Sequence, residues 1–236
     1  RTWSDIDKDA ELADFYDQNL IKLEIEGAEG DPIASLIDNG YLSQPHFRTL
    51  HTTSGMEITM ADHQEIASSL EIPPRIIAEL TMREQYLTQI IKQVHKLIDE
   101  GHTRIIVFAA SVLTARLISA LLESRSISSA CITGETGAHD RALAIKKFRN
   151  QKPAPLVLVN FGVLTTGFDA PNADAAVIAR PTKSLVLFSQ MVGRVIRGPQ
   201  TEGGTKNCTI VTVVDTSLPS FGNVAESFTN WNDVWH

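Results

Sequence analysis

The chain has 236 residues with a formal net charge of −7, and 43% of the residues are hydrophobic. This length and composition predict a globular protein with a buried core, and the absence of an apolar run of about 20 residues argues against a membrane span. The negative charge argues against a simple basic clamp for nucleic acid, although amide and hydroxyl groups can hold phosphates without excess lysine.

The cysteine pattern and the first residues predict a cytoplasmic protein. Cys131 and Cys208 both lie in apolar runs, which predicts buried thiols in a reducing compartment. No spacing of cysteine and histidine predicts a metal site. The first residues contain no signal-peptide core.

The first 85 residues give weak structural signals. Residues 21–25 alternate between apolar and charged side chains, which predicts a half-buried strand. Asp31 and Pro32 begin a predicted short helix through Asn39, which Gly40 ends. Residues 53–73 show no clear periodicity and are interpreted as a connector.

Apolar periodicity alternates between helix and strand through the rest of the chain. Residues 87–98 follow the spacing of an amphipathic helix that Gly101 ends, and further helices are predicted around residues 117–122 and 140–150. Continuous apolar runs predict buried strands at 104–109, 130–133, 156–159, 175–179 and 209–214. This alternation predicts an α/β fold, with a mainly parallel sheet and helices on both faces.

Three loops should meet at one edge of this sheet. Ala110-Ser111, Thr133-Gly134 and the segment 160–169 each follow a predicted strand directly. Ligands of such sheets bind at the carboxyl ends of the strands. The loops are therefore candidate binding elements.

The segment from Gln190 to Arg197, Gln-Met-Val-Gly-Arg-Val-Ile-Arg, is the most informative in the chain. If it is helical, Gln190, Arg194 and Arg197 point one way and the apolar residues between them pack behind. Two guanidinium groups on one face suit a polyphosphate, because each can donate parallel hydrogen bonds to phosphate oxygens. The alternative interpretation is a solvated basic face of an ordinary amphipathic helix.

A second segment, Val163 to Pro171, reads Val-Leu-Thr-Thr-Gly-Phe-Asp-Ala-Pro. Together the two segments resemble motifs V and VI of superfamily 2 helicases, which are nucleic-acid-stimulated ATPases built from two RecA-like domains. The Gly-Phe-Asp-x-Pro form is similar to the bacterial restriction-subunit and DNA-repair branch. The DEAD-box branch of RNA helicases instead begins motif VI with histidine. The resemblance implies a RecA-like fold of the P-loop NTPase type.

The resemblance implies roles at a nucleotide for five residues. Arg197 corresponds to the arginine finger and Arg194 to a second phosphate contact, while Gln190 would bind near the nucleotide or couple the two domains. Gly167 would permit close backbone approach. Asp169 would contact the ribose or orient the finger, although an Asp in this position also commonly caps a turn.

Five further residues are candidates for contact with the nucleic-acid backbone. Thr165 and Thr166 belong to motif V, and Thr133 and Gly134 resemble a loop that contacts the backbone in the family. Ser111 follows a neighbouring strand at the same edge. For Thr133 and Gly134, a plain turn between strand and helix explains the sequence equally well.

The sequence contains no Gly-x-x-x-x-Gly-Lys-Ser/Thr segment and no Asp-Glu-x-His or Asp-Glu-Ala-Asp box. In the family these motifs lie in the first RecA-like domain, which holds ATP and Mg²⁺. We therefore expect a missing N-terminal domain to be the partner of this chain and to hold the cofactor, and we expect the chain alone to be inactive. The predicted divisions are an interdomain entry segment at 1–30, the RecA-like domain at 31–217 and an aromatic tail at 218–236.

The resemblance predicts the C-terminal domain of an ATP-dependent DNA helicase or translocase. An RNA helicase domain and a non-catalytic helicase-like interaction module are the alternatives. Gln190 in place of histidine argues against the first alternative, and the presence of both Arg194 and Arg197 argues against the second.

Overall fold

The computed structural model describes residues 32–69, 71–150, 154–163 and 172–218. The predicted strand at 21–25 and residues 219–236 of the aromatic tail therefore lie outside the described residues. In chain order the elements are α1 (Pro32–Asp38), β1 (Gln44–Thr52), α2 (Met60–Ser68), α3 (Pro74–Met82), α4 (Glu84–Asp99), β2 (Arg104–Ala109), α5 (Val112–Glu123), β3 (Ser129–Ile132), α6 (Ala138–Arg149), β4 (Leu156–Asn160), β5 (Ala175–Ala179), α7 (Leu185–Val192) and β6 (Asn207–Asp215).

Within these residues the strands form a six-stranded sheet in the order β1-β6-β5-β2-β4-β3. Every neighbouring pair is parallel, as predicted from the alternation of strands and helices. From β2 the chain moves to one side of the sheet to form β3 and β4, and then crosses to the other side to form β5 and β6. The carboxyl ends of β2 and β5 therefore flank the point at which the strand order reverses, where open α/β sheets bind ligands.

The core lies in two layers, one on each face of the sheet. On one face Val107 and Val177 pack with apolar residues of α3, α4 and α5. On the other face Ile106 and Ile178 pack with residues of α6 and α7. All residues of β2, β4 and β5 are buried, which explains their continuous apolar sequences. The prediction of helices on both faces is confirmed.

The sequence interpretation misses β1, α2 and α3. β1 lies at the edge of the sheet and alternates between half-buried and exposed residues, with Pro45 inside it, so it lacks the apolar run that marks the central strands. α2 lies inside the predicted connector and buries Asp62 and Ile66, which leaves little helical periodicity to detect. In the structure β1 is nevertheless part of the sheet, and α2 and α3 contribute residues to the core layer on one of its faces.

The two cysteines differ in their environments. Cys208 is buried in β6, and burial raises the pKa of its thiol to about 12. Cys131 is only half-buried, so its predicted full burial is wrong, because β3 is the other edge strand of the sheet. In the described part of the chain, no helix has both the length and the apolar character needed to cross a membrane.

Candidate functional site

The predicted helix through Gln190, Arg194 and Arg197 is shorter than expected. α7 begins after Ser184, whose hydroxyl accepts a hydrogen bond from the Leu187 amide, and it ends at Val192 with Gly193 as its C-cap. Gln190 thus lies in the helix, and both arginines lie beyond it. The prediction that the three side chains share one helical face is wrong, because the chain leaves the helix and pairs with a distant segment instead.

The apolar residues between the polar ones behave as predicted. Met191, Val192 and Val195 are fully buried, and Ile196 packs against the same core layer. Their burial anchors the chain immediately before Arg197 to the body of the domain. The motif therefore rests on the core even where it is no longer helical.

The backbone of Arg197 is held on both sides by main-chain hydrogen bonds. Arg197 forms an isolated antiparallel bridge with Leu42, and the neighbouring Gly198 amide donates to the Tyr41 carbonyl at 3.1 Å. The Thr205 amide donates to the Arg197 carbonyl at 2.9 Å. Because residues 41–43 lead into β1 and Thr205 leads into β6, Arg197 lies near the amino ends of these two strands.

The backbone segments around Gly40, Gly198 and Gly204 approach each other closely near Arg197. This close approach explains why positions 198 and 204 are glycines. A Cβ atom on Gly198 would lie 2.2 Å from the Gly40 carbonyl oxygen. A Cβ atom on Gly204 would lie 1.9 Å from the Gly198 carbonyl oxygen. Neither position accepts a side chain without moving the backbone. The side chains of Arg194 and Arg197 are half-buried, so their positions are restricted by the surrounding structure.

Ser111 and the Thr133-Gly134 loop lie at the opposite edge, at the carboxyl ends of β2 and β3. The Ser111 hydroxyl accepts a hydrogen bond from the Thr114 amide at 3.0 Å and so caps α5. The Thr133 side chain is buried, and its hydroxyl accepts from the Glu135 amide at 3.3 Å. Gly134 is exposed, with open space around its α-carbon. These local hydrogen bonds agree with the interpretation of the Thr133-Gly134 segment as an ordinary turn between strand and helix. Contact of these residues with nucleic acid stays a prediction.

Four candidates of motif V, Thr165, Thr166, Gly167 and Asp169, lie outside the described residues. The described part of this loop begins with Asn160, which is buried at the end of β4 and donates to the Val107 carbonyl at 3.1 Å. The convergence of loops at the carboxyl edge is therefore seen for the loops after β2 and β3, with the first residues after β4 beside them.

Arg180 is a candidate that the sequence interpretation missed. It follows β5 directly, and its guanidinium carbon lies 5.1 Å from the centre of the Phe161 ring, which follows β4. Because β2 lies between β4 and β5, the Arg180 side chain crosses the carboxyl end of β2, where Ser111 begins α5. An arginine directly after a buried strand is the sequence signal that could have identified it.

The charge of Arg180 is incompletely compensated. Burial lowers the pKa of its guanidinium, and the carboxylate of Glu71 opposes this effect. However, Glu71 accepts a hydrogen bond from the Thr182 hydroxyl at 2.8 Å, and no carboxylate of a described residue forms an ion pair with Arg180. A desolvated cation at the strand ends is suited to an anionic ligand.

The candidate residues thus form two groups at opposite edges of the sheet. Arg197 lies near the amino ends of β1 and β6, whereas Ser111, Thr133 and Arg180 lie at the carboxyl ends of β2, β3 and β5. The two groups do not compete for the same space.

Residues 86–199 match the family described as "Helicase conserved C-terminal domain". Within the described residues, this span contains the sheet from β2 to β5, the helix α7 and the arginines of motif VI. Over this span the chain is similar to the C-terminal domain of helicases. The predicted fold class is confirmed.

Three similar proteins illustrate the relationship. The protein IRC3 of Saccharomyces cerevisiae, assigned as an ATP-dependent helicase, is 28% identical over 166 residues, which cover 70% of this chain and 23% of IRC3. The structure of the ATP-dependent Type ISP restriction-modification enzyme LlaBIII bound to DNA is 19% identical with a TM-score of 0.53, over 78% of this chain and 13% of that one. The Sulfolobus solfataricus SWI2/SNF2 ATPase core in complex with dsDNA is 16% identical with a TM-score of 0.51, over 72% and 41%.

The two structural similarities support the fold. The chain spans about a quarter of the length of IRC3, as the 23% coverage shows. The activity of a whole protein that contains this domain is therefore proposed below and does not follow from these similarities alone.

Proposed function

We propose that this chain is the C-terminal domain of an ATP-dependent DNA helicase or translocase. In this proposal Arg197 and Arg194 meet a nucleotide whose phosphates and Mg²⁺ are held by an N-terminal RecA-like domain. The observation that carries the proposal is the fixed backbone of Arg197, which is bonded to Leu42, Ser43 and Thr205 at one place in the fold. A guanidinium group on a fixed backbone loses less freedom when it meets a phosphate.

The chemistry that arginines supply at such a site is charge stabilisation. Phosphoryl transfer places negative charge on the transferred group and its neighbours, and a guanidinium group directed at this charge lowers the barrier. Arg197 acts as the arginine finger and Arg194 as a second phosphate contact. Gln190, on the last turn of α7, binds near the nucleotide or couples the motif to the partner domain. Gly167 and Asp169 retain their predicted roles near the nucleotide.

The carboxyl edge of the sheet is proposed to contact the nucleic-acid backbone. The backbone of the loops at Ser111 and at Thr133-Gly134 faces this edge, and Arg180 adds a positive charge between them. Thr165 and Thr166 are assigned to the same surface by the resemblance. These are contacts to phosphate and sugar, which position a strand and carry no sequence information.

DNA is preferred to RNA on the basis of the motifs. Motif VI begins with Gln190 where the RNA-dedicated branch has histidine, and motif V has the Gly-Phe-Asp-x-Pro form of the restriction and repair branch. The two structural neighbours described above were determined in complex with DNA. Measurement of ATP turnover with single-stranded DNA, double-stranded DNA and RNA of the same sequence distinguishes the two assignments.

The nucleotide assignment is tested with Arg197→Ala and Arg194→Ala in the full-length protein. We expect each variant to lose turnover, with the loss for Arg197→Ala reaching roughly 10³- to 10⁵-fold, because an arginine finger contributes this much to the rate. Steady-state phosphate release measures turnover, and DNA affinity should change far less.

Arg125→Ala is the matched control, because Arg125 is exposed at the end of α5 and its guanidinium donates to the Leu121 carbonyl. This variant should retain full turnover. A loss under tenfold for both motif VI variants would remove the assignment of the finger.

A further inference from the structure

We propose that Ser43 is a positioning residue for Arg197, and this inference rests on the function proposed above. Ser43 lies outside the span 86–199 that matches the helicase family. It comes immediately before β1, 154 positions before Arg197 in the chain. Its role is to hold the carbonyl of Arg197, and with it the point from which the guanidinium group extends.

The contacts of the Ser43 side chain join three segments. Its Oγ atom lies 2.7 Å from the Arg197 carbonyl oxygen and 2.6 Å from the Thr205 carbonyl oxygen, and it donates to these acceptors. It also lies 3.3 Å from the Thr205 hydroxyl. A hydroxyl group has one proton, so the two carbonyls share a single donor. The donor connects the entry to β1, the end of motif VI and the entry to β6.

Backbone hydrogen bonds bring Ser43 to this position. Its amide donates to the Ile196 carbonyl at 3.2 Å, and the next amide, that of Gln44, donates to the Lys206 carbonyl at 2.9 Å. The bridge between Leu42 and Arg197 lies beside these bonds. Ser43 is therefore fixed by its own backbone before its side chain engages Arg197.

The burial of Ser43 separates its role from that of a catalytic residue. Its exposed fraction is 0%, so its hydroxyl cannot touch a nucleotide that enters from solvent. Removal of the hydroxyl takes this donor away from both carbonyl groups, and the Arg197 carbonyl then accepts only from the Thr205 amide among the bonds described here. The backbone at Arg197 then keeps its bridge to Leu42 and its bond from the Thr205 amide but loses the side-chain donor, and we expect a small shift.

A small shift of Arg197 should reduce turnover selectively. An arginine finger acts on charge that develops in the transition state, so its displacement lowers kcat and leaves the KM for ATP unchanged. A misplacement of about 1 Å costs roughly 100-fold in rate in well-organised active sites. We therefore expect Ser43→Ala to lower kcat by about 10- to 100-fold in the full-length protein, with unchanged DNA affinity.

A double-mutant cycle tests whether the effect passes through Arg197. The four proteins are the wild type, Ser43→Ala, Arg197→Ala and the double variant, and steady-state ATP turnover is measured for each. If Ser43 acts by positioning Arg197, its substitution causes no further loss once the arginine is absent. A residue with a merely structural role would lower turnover by the same factor in both backgrounds.

Ser119→Ala is the matched control for the loss of a buried serine hydroxyl. Ser119 is buried in α5, where its hydroxyl lies 2.6 Å from that of Ser129, at a distance in the fold from motif VI. This variant should show a lower melting temperature with full kcat. Ser43→Cys, which keeps a weak donor of similar volume, is the second variant and should show a smaller loss of kcat than Ser43→Ala.

The outcomes separate this inference from the proposed function. Wild-type kcat in folded Ser43→Ala, or in folded Ser43→Cys if the alanine variant does not fold, overturns the positioning role. The same conclusion follows if the losses multiply in the double variant, or if Ser119→Ala loses kcat equally. Full turnover of Arg197→Ala would instead overturn the proposed function, whatever the result at Ser43.

Discussion

At the scale of single residues, Arg180 shows how the fold creates a candidate binding group from an inconspicuous position. Its guanidinium group stacks over Phe161 and crosses the end of a strand that lies between the two residues. Stacking on an aromatic ring holds the cation without occupying its hydrogen-bond donors. We propose that these donors meet a phosphate at the carboxyl edge.

Arg180→Ala should weaken binding of the full-length protein to DNA by a similar factor for all sequences, because phosphate contacts do not specify bases. The slope of log K against log salt concentration should decrease by about 1, since one phosphate contact is lost. Fluorescence anisotropy of labelled oligonucleotides at several salt concentrations measures both quantities. Arg125→Ala, which replaces an exposed arginine in the turn after α5, is the control and should leave the slope unchanged. A slope that is equally unchanged in Arg180→Ala would exclude Arg180 from the interface.

At the scale of elements, α2 is defined by its capping interactions. The Thr59 hydroxyl accepts from the Asp62 amide at 3.2 Å, and the Asp62 carboxylate accepts in return from the Thr59 amide at 2.9 Å. Arg75 of α3 pairs with Asp62 and with Glu65, which connects the two helices. Such reciprocal caps satisfy amide groups that a helix terminus leaves unbonded. They stabilise α2 although its sequence lacks a clear apolar stripe.

This cap predicts a pH dependence of stability in the acid range. Hydrogen bonds from Thr59 and from Arg75 lower the pKa of Asp62 from 3.8 to about 2. Because the pKa is lower in the folded state than in the unfolded state, the cap contributes fully above about pH 4, and the contribution is lost as the pH falls toward 2. Calorimetric melting between pH 5 and pH 2 should therefore show a steeper decrease of Tm in the wild type than in Asp62→Asn. Parallel pH profiles of the two proteins would contradict this role of Asp62.

At the scale of the whole molecule, the chain presents positive groups at two edges of one sheet and has a net charge of −7. In the proposed function, Arg194 and Arg197 meet only one side of a nucleotide. In the described part of the chain, no three His, Cys, Asp or Glu side chains lie together as metal ligands. We propose that the opposite side of the nucleotide and its Mg²⁺ belong to another domain.

The isolated chain should therefore neither hydrolyse ATP nor bind it tightly. A few partly exposed charge contacts, each contributing about 1 kcal/mol or less, fall short of the roughly 8 kcal/mol that micromolar affinity requires. Titration with Mg-ATP by calorimetry tests the chain alone, and addition of the separate N-terminal domain and DNA tests the complete site. Micromolar binding by the chain alone would overturn the divided site. Hydrolysis that appears only in the mixture and disappears with Arg197→Ala would support it.

Some statements about the whole protein stay predictions. They include the cytoplasmic location and the division into residues 1–30, 31–217 and 218–236. Within the described residues, the edge strands of the sheet are β1 and β3, and both lie between residues 31 and 217.

The sequence alone determined the class of fold, because the central strands are covered on both faces. Burial on both sides requires continuous apolar runs such as Arg104–Ala109, and these runs are visible without a structure. The edge strand β1 has one half-exposed face and a proline, so its composition does not distinguish it from a loop. Motif VI was visible for a similar reason, since its residue types and spacing are set by chemistry and do not depend on neighbours in space.

Only the tertiary structure decided how those residues are held. The helix of motif VI ends at Val192 because the following chain forms hydrogen bonds with residues 41–43 and with Thr205, and local helical periodicity contains no information about these partners. The same applies to Arg180, whose position over Phe161 follows from the order of the strands. Contacts between residues far apart in the chain depend on topology, and a pattern read along the sequence records only neighbours within a few turns.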